Sequence, residues 1–386
     1  MSWRDGNEIA LLRSGTEYFP ALLAAIAGAR SEIFLESYLY EPDATGRQVT
    51  ARLMRAARRG VRVQMLLDGF GARLLPTRLR ENLLRAGVRL LFFRPEYSRF
   101  SLNRQRLRRM HRKIALIDGR LGFVGGINIL DDIDEPGLAP RYDYALQIRG
   151  PLLIDLHQIL VSQWRYSCWS QLKREWHRLP KPPQPEPHPG NVTAQLIRRD
   201  NLRHRRAIEA AYLEAIEAAH HEIVIANAYF LPGLSLRHAI LAAARRGVKV
   251  VILLQGRIDH ALLHYATRVL YRPLLAAGVE IHEYRAGFMH AKVAVIDHKW
   301  LTVGSSNIDP FSLLTAREAN VVAMDFTLAQ ALRQDIQRHI EQDAVPITAE
   351  HGRRTRWWQR ALPWLAYQLV RGLLGLTGYG RREYRE

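Results

Sequence analysis

The chain has 386 residues and a formal charge of +19, from 56 Lys and Arg against 37 Asp and Glu. At ~150 residues per domain this length fits two domains or one large duplicated one, and a hydrophobic content of 48% suffices for ordinary cores. The charge disfavours basic partners and favours polyanions, either nucleic acid or an anionic membrane surface, unless it serves solubility alone. The first residues, MSWRDGNEIALLRSGTEYF, contain no apolar run of signal-peptide type. No window reaches the ~20 apolar residues of a spanning helix, so the chain is expected to stay in the cytoplasm. The single cysteine, Cys168, excludes an intrachain disulfide and fits a reducing compartment. It lies in the aromatic stretch WRYSCWSQ and reads as a packed small residue rather than a nucleophile.

In chain order, the sequence then says the same thing twice. SEIFLESYLYEP (31–42) returns as HEIVIANAYFLP (221–232), AARRGVRVQMLLDG (56–69) as AARRGVKVVILLQG (243–256), and LLRAGVRLLFF (83–93) as LLAAGVEIHEY (274–284). The short β-branched runs predict strands. Stretches such as GRQVTARLMRAARRG and LRHAILAAARRG have helical spacing and end on a capping Gly. Each half therefore reads strand, helix, strand, helix, strand, helix, strand, then a hairpin. That alternation predicts a mixed α/β sheet with helices packed on it. RLPKPPQPEPHPGN (178–191) is too Pro-rich for a helix or a central strand. The predicted organisation is a first half at 1–177, a linker at 178–191, a second half at 192–345 and a tail at 346–386. Two similar halves are expected to pack about a pseudo-twofold axis, as a homodimer would.

The hairpins carry the chemistry. HRKIALIDGRLGFVGGIN (111–128) and HAKVAVIDHKWLTVGSSN (290–307) match at His, Lys, Asp, Gly and Asn. Strand parity puts His111 with Lys113, and His290 with Lys292, on one face. Asp118 and Asp297 have the opposite parity and fall where a turn is due, so they are expected to brace it. The small pairs Gly125-Gly126 and Gly304-Ser305 let backbone approach a ligand, with Asn128 and Asn307 as donors. Near a twofold axis the two His-Lys pairs would form one site. Such a set suits a phosphodiester: Lys and Asn stabilise charge on the phosphoryl oxygens. One imidazole can attack phosphorus and the other can move the proton. The chain has no His-Glu-x-x-His, no Cys-x-x-Cys and no Asp cluster, so neither metal nor other cofactor is expected.

These paired motifs, together with ANAYFLPG, HAKVAVIDHKWLTVGSSNIDPFSL and REANV, resemble the phospholipase D superfamily from about Glu8 to about Ala344. Within it the resemblance is strongest to short bacterial cardiolipin synthases lacking an N-terminal pair of membrane helices. The resemblance implies two similar α/β/α sandwich halves related by a pseudo-twofold, with one active site at their interface. It implies His111, Lys113, Asp118, His290, Lys292 and Asp297 as catalytic motif residues, His111 being the nucleophile and His290 the acid/base. It also implies a downstream carboxylate behind each His, matched here by Asp143 in RYDYALQIRG and Glu318 in AREAN. A carboxylate on the far imidazole nitrogen fixes the tautomer, although either acid could be an ordinary surface residue. The spacing differs between halves: Asn128 to Asp143 is 15 positions and Asn307 to Glu318 is 11.

Two segments exceed the repeat. RPEYSRFSLNRQRLRRM (94–110) holds six Arg and one Glu. It is either a solvated face or, leading into a catalytic strand, a guide for anionic headgroups through Arg104, Arg106, Arg108 and Arg109. The tail RRTRWWQRALPWLAYQLVRGLLGLTGYGRREYRE (353–386) has a 15-residue apolar part, Leu362 to Leu376, interrupted by Pro363 and Arg371. It is too short to span, and Trp357, Trp358 and Trp364 with flanking Arg suit a membrane interface; the other reading is a helix packed on the domain. A helix at 261–276 is a second candidate lipid-facing element, or core.

The leading expectation from the resemblance is phosphatidyl transfer between two phosphatidylglycerols, giving cardiolipin and glycerol. It would occur peripherally at the cytoplasmic face of the bacterial inner membrane, without nucleic acid. The rivals are a hydrolase of the same superfamily, lipase or nuclease, using water as acceptor, and a basic scaffold with a relic site. Two intact motifs argue against the relic.

Overall fold

In a computed structural model, residues 2–94, 109–133, 137–177, 179, 184–200, 204–309, 316–348 and 357–376 are described. The first half runs β1 (Arg4–Arg13), α1 (Ser14–Gly28), β2 (Glu32–Ser37), α2 (Ala44–Arg58), β3 (Arg62–Asp68), α3 (Thr77–Arg85) and β4 (Arg89–Phe93). Then come β5 (Lys113–Ile117), β6 (Leu121–Gly125), β7 (Ala139–Tyr142), β8 (Tyr144–Arg149) and α4 (Leu152–Ser170). The second half runs β9 (Val192–Arg199), α5 (Ala207–Glu217), β10 (Glu222–Asn227), α6 (Leu234–Arg245), β11 (Lys249–Gln255), α7 (Ala261–Arg268), α8 (Tyr271–Ala276) and β12 (Glu280–Tyr284). It continues through β13 (Gly287–Met289), β14 (Lys292–Ile296), β15 (Trp300–Gly304), β16 (Glu318–Met324), α9 (Phe326–Asp343) and β17 (Ala344–Pro346), and α10 (Trp357–Leu376) follows.

Local chemistry accounts for these boundaries. Asp43 caps α2 by accepting from Gly46 N at 2.8 Å, and Asp325 caps α9 by accepting from Leu328 N at 2.7 Å. Gly60 and Gly247, which end the paired AARRG helices, take positive φ of 90° and 88°. The strands β2 and β10 are buried along their whole length, as continuous runs covered on both faces must be. The expected single helix at 261–276 is instead two, α7 and α8. Pro273 has no N–H for the Val269 carbonyl, and the chain turns tightly there, Leu270 N bonding Thr267 O at 2.9 Å.

The two half-sheets join edge to edge into one 15-stranded sheet, ordered β17-β12-β11-β10-β14-β15-β16-β9-β1-β8-β6-β5-β2-β3-β4. The order mirrors about the β9–β1 pair, which is antiparallel. Asn7, fully buried, pins this joint. Its Nδ2 donates to Arg4 O and Val192 O, and its Oδ1 accepts from Leu152 N at 2.8 Å, where α4 begins. On one face, α1 to α3 and α5 to α8 cover separate cores for the two halves. On the other face, α4 and α9 cover a single core drawn from both halves. Cys168 is buried there, as a packed residue, with its thiol pushed up to about 11 by burial.

Candidate active site

The site lies where the two halves meet, just ahead of β5 and β14. Backbone pairing decides which groups face each other. His111 N donates to Arg317 O at 2.9 Å, and His290 N donates to Tyr142 O at 2.8 Å. Each acceptor belongs to the other half, and each is followed by an acid: Glu318 after Arg317, Asp143 after Tyr142. The carboxylates are therefore exchanged across the pseudo-twofold. His111 Nδ1 lies 3.0 Å from Glu318 Oε1, and His290 Nδ1 lies 2.7 Å from Asp143 Oδ2. A carboxylate at Nδ1 holds the proton there and leaves each Nε2 for the substrate. The sequence shows both acids but not this crossing, because the partners sit 207 and 147 positions apart.

Lys113 and Lys292 stand beside the imidazoles with relative exposures of 2% and 0%. Lys113 Nζ donates to His111 O at 2.8 Å, and Lys292 Nζ donates to His290 O. Tyr38, unsuspected from the sequence, lays its ring 4.7 Å from that of His111 and 5.3 Å from Lys113 Nζ. Burial pulls Lys113 down to about 7 and Lys292 down to about 8. Burial also lowers His111, and lowers His290 well below its ordinary value, with Lys292 and Lys113 adding to the second effect. It pushes Asp143 up to about 6. Each of these groups resists its charged form because little water reaches it. A phosphate monoanion between the lysines would reverse that for the cations.

The halves differ beside the two acids. Ser305 donates its hydroxyl to Glu318 Oε2 at 2.5 Å. Its counterpart is Gly126, where an added Cβ would fall 2.3 Å from Asp143 Oδ1. The shorter Asp thus occupies space that Ser305 fills on the Glu318 side, so the two imidazoles are not equivalent. The sequence marked both positions only as small.

Asp118 and Asp297 stand at the far ends of β5 and β14. Asp118 accepts from Arg30 N, Ser31 N and Glu32 N at 2.7–2.9 Å, and Asp297 accepts from His220 N, His221 N and Glu222 N at 2.8–2.9 Å. Both tie the end of α1 or α5 to the hairpin, the bracing that strand parity leads one to expect. Asn128 Oδ1 accepts from Leu39 N at 3.1 Å, which leaves its NH2 to donate, and Asn307 is buried at the equivalent place. Arg109 is turned onto Asp68, 3.7 Å from Oδ1, and over the Phe70 ring, so it supports the loop ahead of His111. Arg104, Arg106 and Arg108 lie outside the described residues.

The family described as "Cardiolipin synthase, PLD-like domain" matches residues 22–159 and 212–340. The chain belongs to that family. Its first matched segment holds His111, Lys113 and Asp143, and its second holds His290, Lys292 and Glu318. Among curated relatives, "Cardiolipin synthase B" of Salmonella typhi is 39% identical over 378 residues, 98% of this chain and 91% of that one. "Probable cardiolipin synthase YwiE" of Bacillus subtilis is 34% identical, over 89% of this chain and 67% of that one. The solved phosphatidylserine synthase of Haemophilus influenzae superposes with a TM-score of 0.68 at 13% identity, over 97% of this chain and 95% of that one. That likeness shows that the family's fold is shared well beyond detectable sequence identity.

Proposed function

We propose that this chain is a cardiolipin synthase that moves a phosphatidyl group from one phosphatidylglycerol to another through a phosphohistidine. The crossed pairs His111–Glu318 and His290–Asp143, with two buried lysines beside them, carry this reading. His111 Nε2 attacks phosphorus, forming a P–N bond as the P–O bond to glycerol breaks. His290, protonated at the start, gives its Nε2 proton to the departing alkoxide and glycerol leaves. His290 then takes the proton from a hydroxyl of the second phosphatidylglycerol. That oxygen bonds phosphorus, the P–N bond breaks, and cardiolipin leaves. Lys113 and Lys292 hold the phosphoryl oxygens, where negative charge builds. Glu318 and Asp143 steady the imidazolium forms.

The same reading places the enzyme peripherally on the cytoplasmic face of the inner membrane, with anionic lipid and not nucleic acid as its partner. The tail supports this. The helix α10 packs on α7, with Ala366 and Val370 buried, while Trp364, Leu365 and Leu369 are 55–56% exposed. One face thus packs on the domain, and the exposed apolar face supports the membrane reading. Among the described residues no helix is long and apolar enough to cross a membrane. Phosphatidylglycerol vesicles test the proposal. Cardiolipin and glycerol should appear in equal amounts; phosphatidic acid as the main product would identify a hydrolase, and no turnover a scaffold.

A further inference from the structure

Phosphatidyl transfer between two glycerol headgroups is chemically lopsided. The leaving group of the first step and the acceptor of the second are both hydroxylated, and both meet the acid/base. One half of the molecule should therefore hold a hydroxyl-binding place that the other lacks.

The second half has a candidate for it. A small cavity of about 20 Å³ opens at the carboxyl ends of β10 and β11, lined by Tyr229, Gln255, Asp259, His264 and Thr267 among others. Two of its walls are tied to the chain on either side of His290. Gln255 Oε1 accepts from Met289 N at 3.1 Å, and Ala228 N donates to Ala291 O at 2.9 Å. Gln255 is 5% exposed, yet its Nε2 has no partner among the described residues, and neither does His264 Nε2. Buried polar atoms are rarely left so. Tyr229 donates its hydroxyl to Asp259, which keeps a carboxylate at the rim.

The first half differs at the equivalent place. Gln255 is replaced there by Asp68 in the matching strand end. Asp68 accepts from Met110 N at 2.9 Å, as Gln255 does from Met289 N, but also from Phe70 N and Gly71 N, with Arg109 beside it. No amide donor is presented. After β11 the chain instead runs GRIDH into α7, which supplies His264 and Thr267.

We infer that this cavity binds the free hydroxyl end of the glycerol headgroup beside His290, with Gln255 and His264 as its hydrogen-bonding partners. The inference rests on the phosphatidyl transfer proposed above. The cavity has room for about one water-sized group, which suits a single hydroxyl and not an acyl chain. The Asp259 carboxylate favours hydroxyls over a phosphate. The pocket is held by the half that carries His290, so it orients both the departing glycerol and the incoming one toward the proton-transfer group.

A competition measures this. Phosphatidyl-p-nitrophenol is supplied as donor, with glycerol and ethanol together as acceptors, and initial rates of phosphatidylglycerol and phosphatidylethanol formation are compared. The ratio is independent of how much enzyme is folded. In His264→Leu the glycerol-to-ethanol ratio should fall by roughly tenfold, the value of about one lost hydrogen bond in a buried site. A ratio equal to wild type would overturn the inference and leave a bound water as the occupant. If His264→Leu does not fold, Gln255→Glu decides in the same way, since it keeps an acceptor for Met289 N and loses the donor. Failure of wild type to make cardiolipin from phosphatidylglycerol vesicles would instead sink the underlying reading, whatever the ratio.

Discussion

Lys113 and Lys292 stand almost out of reach of water, and this sets the pH response of the site. Burial brings them to about 7 and about 8. Each folded value lies below the unfolded one, so the unfolded chain binds more protons between about 7 and 10.5, and without an anion stability rises with pH across that window. A phosphate analogue such as vanadate raises both values and must bring protons with it. Calorimetry at pH 8 in buffers of different ionisation enthalpy should show uptake of roughly one proton per bound anion. No uptake would mean that both lysines are already charged and that burial does not control them. At this scale the sequence was informative about residue types and faces. His and Lys two apart on a strand, doubled, announce a phosphate site. It did not show that Glu318 serves His111 and Asp143 serves His290. That choice is made by main-chain pairing of Met110 with Arg317 and of β13 with β7, between residues far apart in the chain.

The hairpin element is held by a carboxylate at the far end of β5 from His111. Asp118 has a φ of 53°, and its carboxylate ties three backbone N–H groups at the end of α1 to the turn after β5. Those bonds hold the carboxyl below its ordinary value despite some burial, so the brace is lost as pH falls below about 4. Asp118→Ala should lower unfolding stability by about 1–3 kcal/mol, the cost of leaving such donors without their charged acceptor. Urea denaturation followed by tryptophan fluorescence measures it. An unchanged midpoint with lost turnover would move Asp118 into the chemistry. The parity of the strand made this role legible, because a residue five places after Lys113 points to the other face. The break between α7 and α8 was less legible. Apolar spacing runs through 261–276, and only Pro273 signals that the helix is interrupted.

For the whole molecule, duplication was the most readable feature. Matched strands and helices in two halves specify the mirrored sheet order, while the continuous β1–β9 joint depends on Asn7, an unremarkable polar residue in the sequence. The duplication also explains why function needs asymmetry: Gly126 against Ser305, Asp68 against Gln255, and a tail on one half only. If α10 seats the enzyme on lipid, replacing Trp364, Leu365 and Leu369 together by Ser should weaken sedimentation with phosphatidylglycerol vesicles at least about tenfold, since each side chain loses apolar burial. Far-ultraviolet circular dichroism should stay unchanged; unaltered sedimentation would remove the tail from the membrane. The central claim is that a histidine from each half acts at one phosphorus, His111 as nucleophile and His290 as proton carrier. Acid-free quenching of His290→Ala after exposure to phosphatidyl-p-nitrophenol, followed by peptide mass spectrometry, tests it most directly. The account predicts a base-stable, acid-labile phosphatidyl adduct on the peptide containing His111, and none in His111→Ala. An adduct on His290 in His111→Ala would reverse the roles, and the absence of any adduct in either variant or in wild type would contradict the double displacement.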